Sequence, residues 1–207
     1  MSPRSDSISL KRFELRSLSL FLSIAVFTMV VGCANPLNRA TSDRYAQMCS
    51  EAYQNRLLDV AENACYRATV NVNLGNLGPE LKSERWYNLA LVKRDLKKFD
   101  EAEDLFKESL EIEEKLSGAS STKTGRRLAM LAAVKYQKAQ YIDGFPLVER
   151  LLPISSQYSG QERMFAAALL HCYATQAERT GQLDMASRFR AASSTLGAPP
   201  SNFKCNV

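Results

Sequence analysis

A pattern that returns every 41 or 42 residues constrains this chain more than any other feature in it. Trp86, Leu89 and Ala90 share one face of a helix, and Ala102, Phe106 and Ser109 share a face of a second one that follows after a short turn. Forty-one residues earlier, Tyr45, Met48, Cys49, Ala61, Cys65 and Ala68 occupy the same six places. Forty-two residues later they fall to Leu128, Leu131, Ala132, Gly144, Val148 and Leu151, and after another forty-two to Leu170, Tyr173, Ala174, Ala186, Arg190 and Ser193. Gly and Pro are sparse between these positions and nothing alternates polar with apolar for long, so the pattern predicts an all-α fold of about four helical hairpins. Each hairpin has an apolar face that it cannot bury alone, so neighbours must stack.

These residues resemble the tetratricopeptide repeat, in which a large aromatic is followed by Leu and a small residue, and a second helix carries Ala, an aromatic and a small residue. The resemblance covers residues 42 to about 197. It implies hairpins stacked as a right-handed superhelix, with the first helices lining a concave groove. Four features depart from the family pattern. Lys93 stands where an aromatic is usual, the turn at Lys97-Lys98 lacks Gly, Gly144 replaces Ala, and Pro153 is expected to interrupt a second helix. The step also exceeds the family's usual 34 residues. The excess falls at Leu77-Gly78-Pro79-Glu80, Ser117-Gly118-Ala119 and Ser159-Gly160-Gln161, where stretched loops are expected. In this the chain resembles repeat arrays of the kinesin-light-chain type.

Ahead of the repeats, residues 1–16 carry Arg4, Lys11, Arg12 and Arg16 against Asp6 and Glu14, and Leu18 to Val31 follow with only Ser19, Ser23 and Thr28 as polar interruptions. A basic segment followed by an apolar run of this length has the form of a secretory signal. The run is short of the roughly 20 residues a membrane span needs, although an uncleaved anchor borrowing Phe13 and Leu15 stays open. Val30-Val31-Gly32-Cys33 then resembles the lipobox of bacterial lipoproteins. The resemblance implies cleavage before Cys33, a diacylglyceryl group on its thiol and acylation (palmitate) of the new amino terminus. Ala34 after the cysteine implies export to the outer membrane, with the protein facing the periplasm. The expected organisation is a signal peptide over 1–32, a lipidated cysteine and tether over 33–43, the repeat domain over 44–197 and a tail over 198–207.

Removing residues 1–32 leaves 23 basic against 20 acidic residues, too mild a balance for a nucleic-acid protein and one without a concentrated basic face. Four cysteines remain beyond Cys33: Cys49, Cys65, Cys172 and Cys205. An even number in an exported chain points to disulfides, and spacing alone leaves three connectivities. The repeat register puts Cys49 and Cys65 at the same height on the antiparallel helices of the first hairpin. That pairing leaves Cys172 for Cys205, folding the tail back over the last helices. No cysteine pair has close metal-ligand spacing and His171 is the single histidine, so neither a metal nor a cofactor is expected.

In each first helix the positions between the pattern residues point into the groove. They are Gln47, Ser50, Tyr53 and Gln54; Tyr87, Asn88, Leu91, Arg94 and Asp95; Met130, Ala133, Tyr136 and Gln137; and His171, Thr175, Glu178 and Arg179. Of these, Tyr53, Tyr87, Asn88, Leu91, Arg94, Tyr136, Gln137 and Arg179 are the candidate partner-binding residues, because Tyr and Arg combine large contact area with directional hydrogen bonds. Asn88 resembles the groove asparagine that holds a peptide backbone in some relatives, but the lysines of a carboxylate clamp are missing. Ser120-Ser121-Thr122-Lys123 and Lys123-Thr124-Gly125 match two penicillin-binding-enzyme elements, yet they overlap in one loop where the chemistry needs them far apart. The run Glu108 to Glu114 reads as a solvated helix face. No catalytic constellation emerges, so the expected function is non-enzymatic: an adaptor holding an envelope protein, for secretin or pilus assembly or for docking peptidoglycan enzymes. A helical enzyme or small-ligand binder is the rival, and it predicts a deep pocket of convergent polar groups.

Overall fold

The computed structural model describes residues 35–197, 199 and 203–205. The signal segment 1–32 and Cys33 lie outside the described residues, as does most of the tail. Residues from Pro36 onward form one compact unit. Its described residues form eight helices and no strand: α1 (Pro36–Gln54), α2 (Leu58–Leu74), α3 (Pro79–Asp95), α4 (Phe99–Ser117), α5 (Thr122–Gln137), α6 (Tyr141–Ser155), α7 (Gly160–Arg179) and α8 (Leu183–Gly197). They pair as the hairpins α1/α2, α3/α4, α5/α6 and α7/α8, and each hairpin packs on the next. Among the described residues no helix is long and apolar enough to cross a membrane.

Helix α1 starts at Pro36, so residues 36–43, expected as tether, form its first two turns. Ser42 is fully buried there and donates to the Ala68 carbonyl across the hairpin at 3.0 Å. The bond recurs in register. Ser109 donates to the Ser83 carbonyl and Ser193 to the Ala167 carbonyl, both at 2.8 Å. In the third hairpin Gly125 and Leu151 take those two positions, and Tyr158 and Ile154 fill the space beside the glycine.

The loops expected to be stretched hold only four residues each, between α2 and α3, α4 and α5, and α6 and α7. The extra length of the repeat therefore lies in the helices, which run 15 to 20 residues. Pro153 does not interrupt α6, which continues to Ser155; each proline in it removes one backbone donor, and packing of Val148, Leu151 and Ile154 into the core outweighs that loss. The turns inside the hairpins have three residues, and the middle one adopts positive φ in all four: Arg56 (59°), Lys97 (61°), Ala139 (57°) and Gly181 (77°). The residue after it donates its N–H back across the helix end, as Lys98 does to the Lys93 carbonyl at 2.9 Å. This is the 6→1 bond of a Schellman cap, so the turn keeps its geometry without the family's glycine.

Most pattern positions are buried, and three are not. Tyr45 and Met48 face the outer end of the first hairpin, where no described repeat precedes to cover them, while their counterparts Trp86 and Leu89 are buried, Leu89 in a cluster with Cys49 and Cys65 of the preceding hairpin. Arg190 is exposed and paired with Glu178, and the neighbouring Phe189 takes the core place instead. Gly144 has a physical reason: a Cβ there would lie 1.9 Å from the Tyr173 hydroxyl. That hydroxyl donates to the Ala132 carbonyl at 2.7 Å. Lys93 stands in place of an aromatic because it pairs with Glu62 of the preceding hairpin at 2.6 Å, and Lys135 repeats the contact to Glu103 at 2.7 Å.

Glu113 overturns the solvated reading of its run. It is 3% exposed and meets Arg127, 6% exposed, at 2.9 Å. Arg127 also donates to Ser83, Ser109 and the Lys123 carbonyl. Burial would raise the Glu113 carboxyl, but hydrogen bonds from Ser117 and Ser83 and the charge of Arg127 hold it below its ordinary value. The Ser121 to Gly125 stretch, which matched enzyme elements, is a helix start: the Ser121 hydroxyl accepts from the Thr124 N–H at 3.1 Å and caps α5.

Both disulfides are present, Cys49–Cys65 with Cα atoms 5.1 Å apart and Cys172–Cys205 with Cα atoms 5.5 Å apart. The second bridge holds the tail residues Phe203 and Cys205, both half-buried, against the core of the last two hairpins.

Candidate functional site

The first helices place their inward residues in a row across the four hairpins, and hydrogen bonds link them from one hairpin to the next. The Tyr53 hydroxyl donates to Asp95 at 2.8 Å, and Asp95 also accepts from Arg56 at 3.1 Å and from Arg94 at 2.8 Å. Arg94 reaches on to the Met130 sulfur at 2.9 Å. Further along, Gln176 donates to the Tyr136 hydroxyl at 3.0 Å, and the Tyr136 ring meets Tyr141 and Tyr173 edge to face, with centroids 5.0 and 5.4 Å apart. Arg179 is exposed and donates to Gln176 at 3.3 Å. Such contacts fix rotamers in advance of binding and so reduce the ordering cost a partner must meet.

The electrostatics follow from this packing. Burial and the Asp95 hydrogen bond push the Tyr53 hydroxyl up to about 12. Burial would raise Asp95, but Tyr53, Arg94 and Arg56 outweigh it and hold its carboxyl below the ordinary range. Burial likewise raises Tyr87 and Tyr136. None of these tyrosines is poised to ionise near neutral pH, so each acts as a hydrogen-bonding ring.

Arg94, Tyr136 and Gln137 come together around a cavity of about 700 Å³. Its other walls are Asp95, the turn residues Arg56 and Lys97, the second-helix residues Phe99 and Tyr141, and Cys205 of the tail. Sequence register missed those walls, apart from Asp95, because it followed the first helices alone. Phe99 and Tyr141 open successive second helices at the repeat's own spacing, and that recurrence was the available signal. Tyr53 lies beside this cavity through Asp95. Tyr87 does not: its ring stacks under Arg127 at 5.1 Å and against Phe106 at 5.6 Å. It lines a smaller cavity of about 160 Å³ with Met130. Asn88 and Leu91 are half-buried, and Leu91 packs against the core. Ala133, expected in the groove, is fully buried in the core instead, because α5 packs against the first helices on both sides of it. His171 meets the ring of Phe203 at 6.3 Å.

Residues 83–143 match the tetratricopeptide repeat family. No curated protein matches the chain. Among solved structures it is similar to BtubC (BKLC) from P. vanneervenii, at 17% identity and a TM-score of 0.66 over 79% of this chain and 67% of that one. It is also similar to a Podosopora anserina protein of the kinesin-light-chain type with nearly identical TPR-like repeats, at 15% identity and a TM-score of 0.59 over 75% of this chain and 74% of that one. A single-substitution variant of that fungal protein aligns at 15% identity and a TM-score of 0.61 over 86% of this chain and 82% of that one. At these identities the likeness establishes the fold.

Proposed function

From the premise that tetratricopeptide-type repeats make this chain a protein-interaction scaffold, we propose that it is a lipid-anchored adaptor of the outer membrane that holds an envelope protein in its groove during assembly of a secretin- or pilus-type complex. The observation that carries this reading is the row of pre-set polar and aromatic side chains from Tyr53 through Asp95, Arg94 and Tyr136 to Arg179, which runs across all four hairpins. A row of this kind suits an elongated protein segment, whose length can contact every hairpin in turn.

The lipobox-like Val30-Val31-Gly32-Cys33 supplies the anchor. Helix α1 begins three residues after Cys33, a link that at about 3.5 Å per residue can reach at most about 10 Å. A link this short would keep the repeats near the membrane that holds the lipid, so the partner is sought in that membrane or at its periplasmic face. The test places a photoreactive residue at Tyr53, Arg94 or Tyr136 in living cells and identifies what is captured, beside palmitate labelling of the wild type and a Cys33→Ser variant. The expected result is one envelope protein captured from all three positions, with label and membrane residence lost in the variant. Capture of nothing sinks the adaptor reading, and an unlabelled wild-type Cys33 sinks the anchor.

A further inference from the structure

The smaller cavity lies between α3, α5 and α7, beside the row just described. Its walls are the rings of Tyr87, Tyr158 and Phe165 with Ala129 and Met130, and Arg126 and Glu162 pair at its mouth. Its volume of about 160 Å³ accommodates a single large apolar side chain and no more. Tyr158 is 5% exposed, and its hydroxyl has no hydrogen-bond partner among the described residues.

The chain itself shows what such a place accepts. One repeat further on, Ala129 and Met130 correspond to His171 and Cys172. There the tail covers the helix: the Phe203 ring stands edge-on to His171, Cys205 is bonded to Cys172, and residues 203–205 form no helix or strand. An aromatic side chain on a non-helical segment thus packs, in the last repeat, against the residue that corresponds to Ala129 of the cavity wall. Cys205 also lines the 700 Å³ cavity, so the described part of the tail reaches the groove.

We propose that the cavity walled by Tyr87, Ala129, Met130, Tyr158 and Phe165 is an anchor site for one aromatic or large aliphatic side chain carried by an extended segment of the partner, with the chain's own Phe203 as its internal counterpart. The inference rests on the adaptor reading and names the chemistry of what the groove receives. Specificity comes from size and from the ring-lined wall, since a charged side chain would lose its hydration there without a free counter-ion.

The probe is a peptide with the sequence of residues 199–207 and Ser in place of Cys205, titrated into the full chain in detergent with methyl-labelled methionine. The expected result is a saturable shift of the Met130 methyl signal that disappears with a Phe203→Ala peptide and weakens at least tenfold in an Ala129→Phe chain, whose added ring fills the cavity. A Met130 signal that does not move, or moves equally for the Phe203→Ala peptide, overturns the proposal. Ala129→Leu, a smaller filling, gives the same comparison if the Phe variant does not fold. In cells, undiminished capture from Arg94 in the filled variant overturns the anchor site while leaving the adaptor reading standing. Capture lost only in the filled variant supports the site.

Discussion

Replacing Arg127 with Met tests how much the second and third hairpins depend on one buried charge. The guanidinium is 6% exposed and sits between Glu113, Ser83, Ser109 and the face of Tyr87. Met fills much the same volume but leaves Glu113, 3% exposed, with only the Ser83 and Ser117 hydroxyls as donors. Removing one partner of a buried pair costs about 3–5 kcal/mol, because the remaining charge stays desolvated. For a domain of this size each kcal/mol shifts Tm by about 2–4 °C, so the expected loss at neutral pH is roughly 6–20 °C. The second arm is Arg127→Met with Glu113→Leu, which removes both charges and returns stability to within about 1 kcal/mol of wild type. The pH dependence separates this account from simple loss of packing. In the wild type the folded Glu113 carboxyl lies below its ordinary 4.5, so its contribution is present above that value and declines as the pH falls. In the single variant burial dominates and the folded carboxyl rises, so the penalty is full at pH 7 and shrinks toward about pH 4. Thermal unfolding of the three proteins at neutral pH and near the carboxyl's ordinary value reads both effects. A single variant within about 1 kcal/mol of wild type, or a double variant no better than the single, would refute the reasoning.

Four other outcomes are expected. Gly144→Ala drives a methyl group into the Tyr173 ring and hydroxyl and lowers stability by about 1–3 kcal/mol in denaturant unfolding. Ala139→Gly relieves a positive φ of 57° and raises stability by about 1 kcal/mol, whereas the same change at Ala133, in mid-helix, lowers it. Burial would raise Glu103, but hydrogen bonds from Lys107, Lys135 and Lys138 outweigh it and hold the carboxyl at about 2 against an ordinary 4.5, so the wild type loses stability as the pH falls from 4.5 toward 2 and Glu103→Gln shows a flatter profile in that window. Thiol counting on the denatured mature protein finds no free cysteine, and Cys49→Ala with Cys65→Ala costs about 3 kcal/mol for a loop of this length.

The repeat was legible because its signal is summed over six positions in four copies, and no single substitution erases it. The cysteine pairing followed from the same register, since equal height on antiparallel helices is what a bridge needs. Other features depended on contacts that the register does not encode. The small cavity takes Tyr158 from the loop after a second helix and Phe165 from the next first helix. The large one depends on Cys205, brought in by a bridge across 33 residues. Glu113 looked solvated because it lies in a run with the exposed Glu108, Glu111 and Lys115, yet Arg127 approaches it from the following hairpin, and a rule built on one helix cannot anticipate that contact.

The departures from the pattern are each matched by a residue in contact with them, most of them across hairpins, and this explains how the fold tolerates them. Where Tyr173 is large, Gly144 is small. Where Gly125 lacks a side chain, the hydroxyl of Tyr158 and a methyl of Ile154 occupy the space a Cβ would enter, at 2.3 and 2.7 Å. Where Lys93 and Lys135 replace an apolar residue, Glu62 and Glu103 stand in the preceding hairpin to meet them. In the last junction both partners revert together: Ala177 stands in the lysine's place and Phe145 in the glutamate's, and both lie in the same core. Each exchange conserves volume or charge within a contact rather than at a position. Single substitutions toward the family pattern at these sites should therefore destabilise, while the matched pair restores stability, and the unit that keeps its chemistry from one repeat to the next is the junction between hairpins.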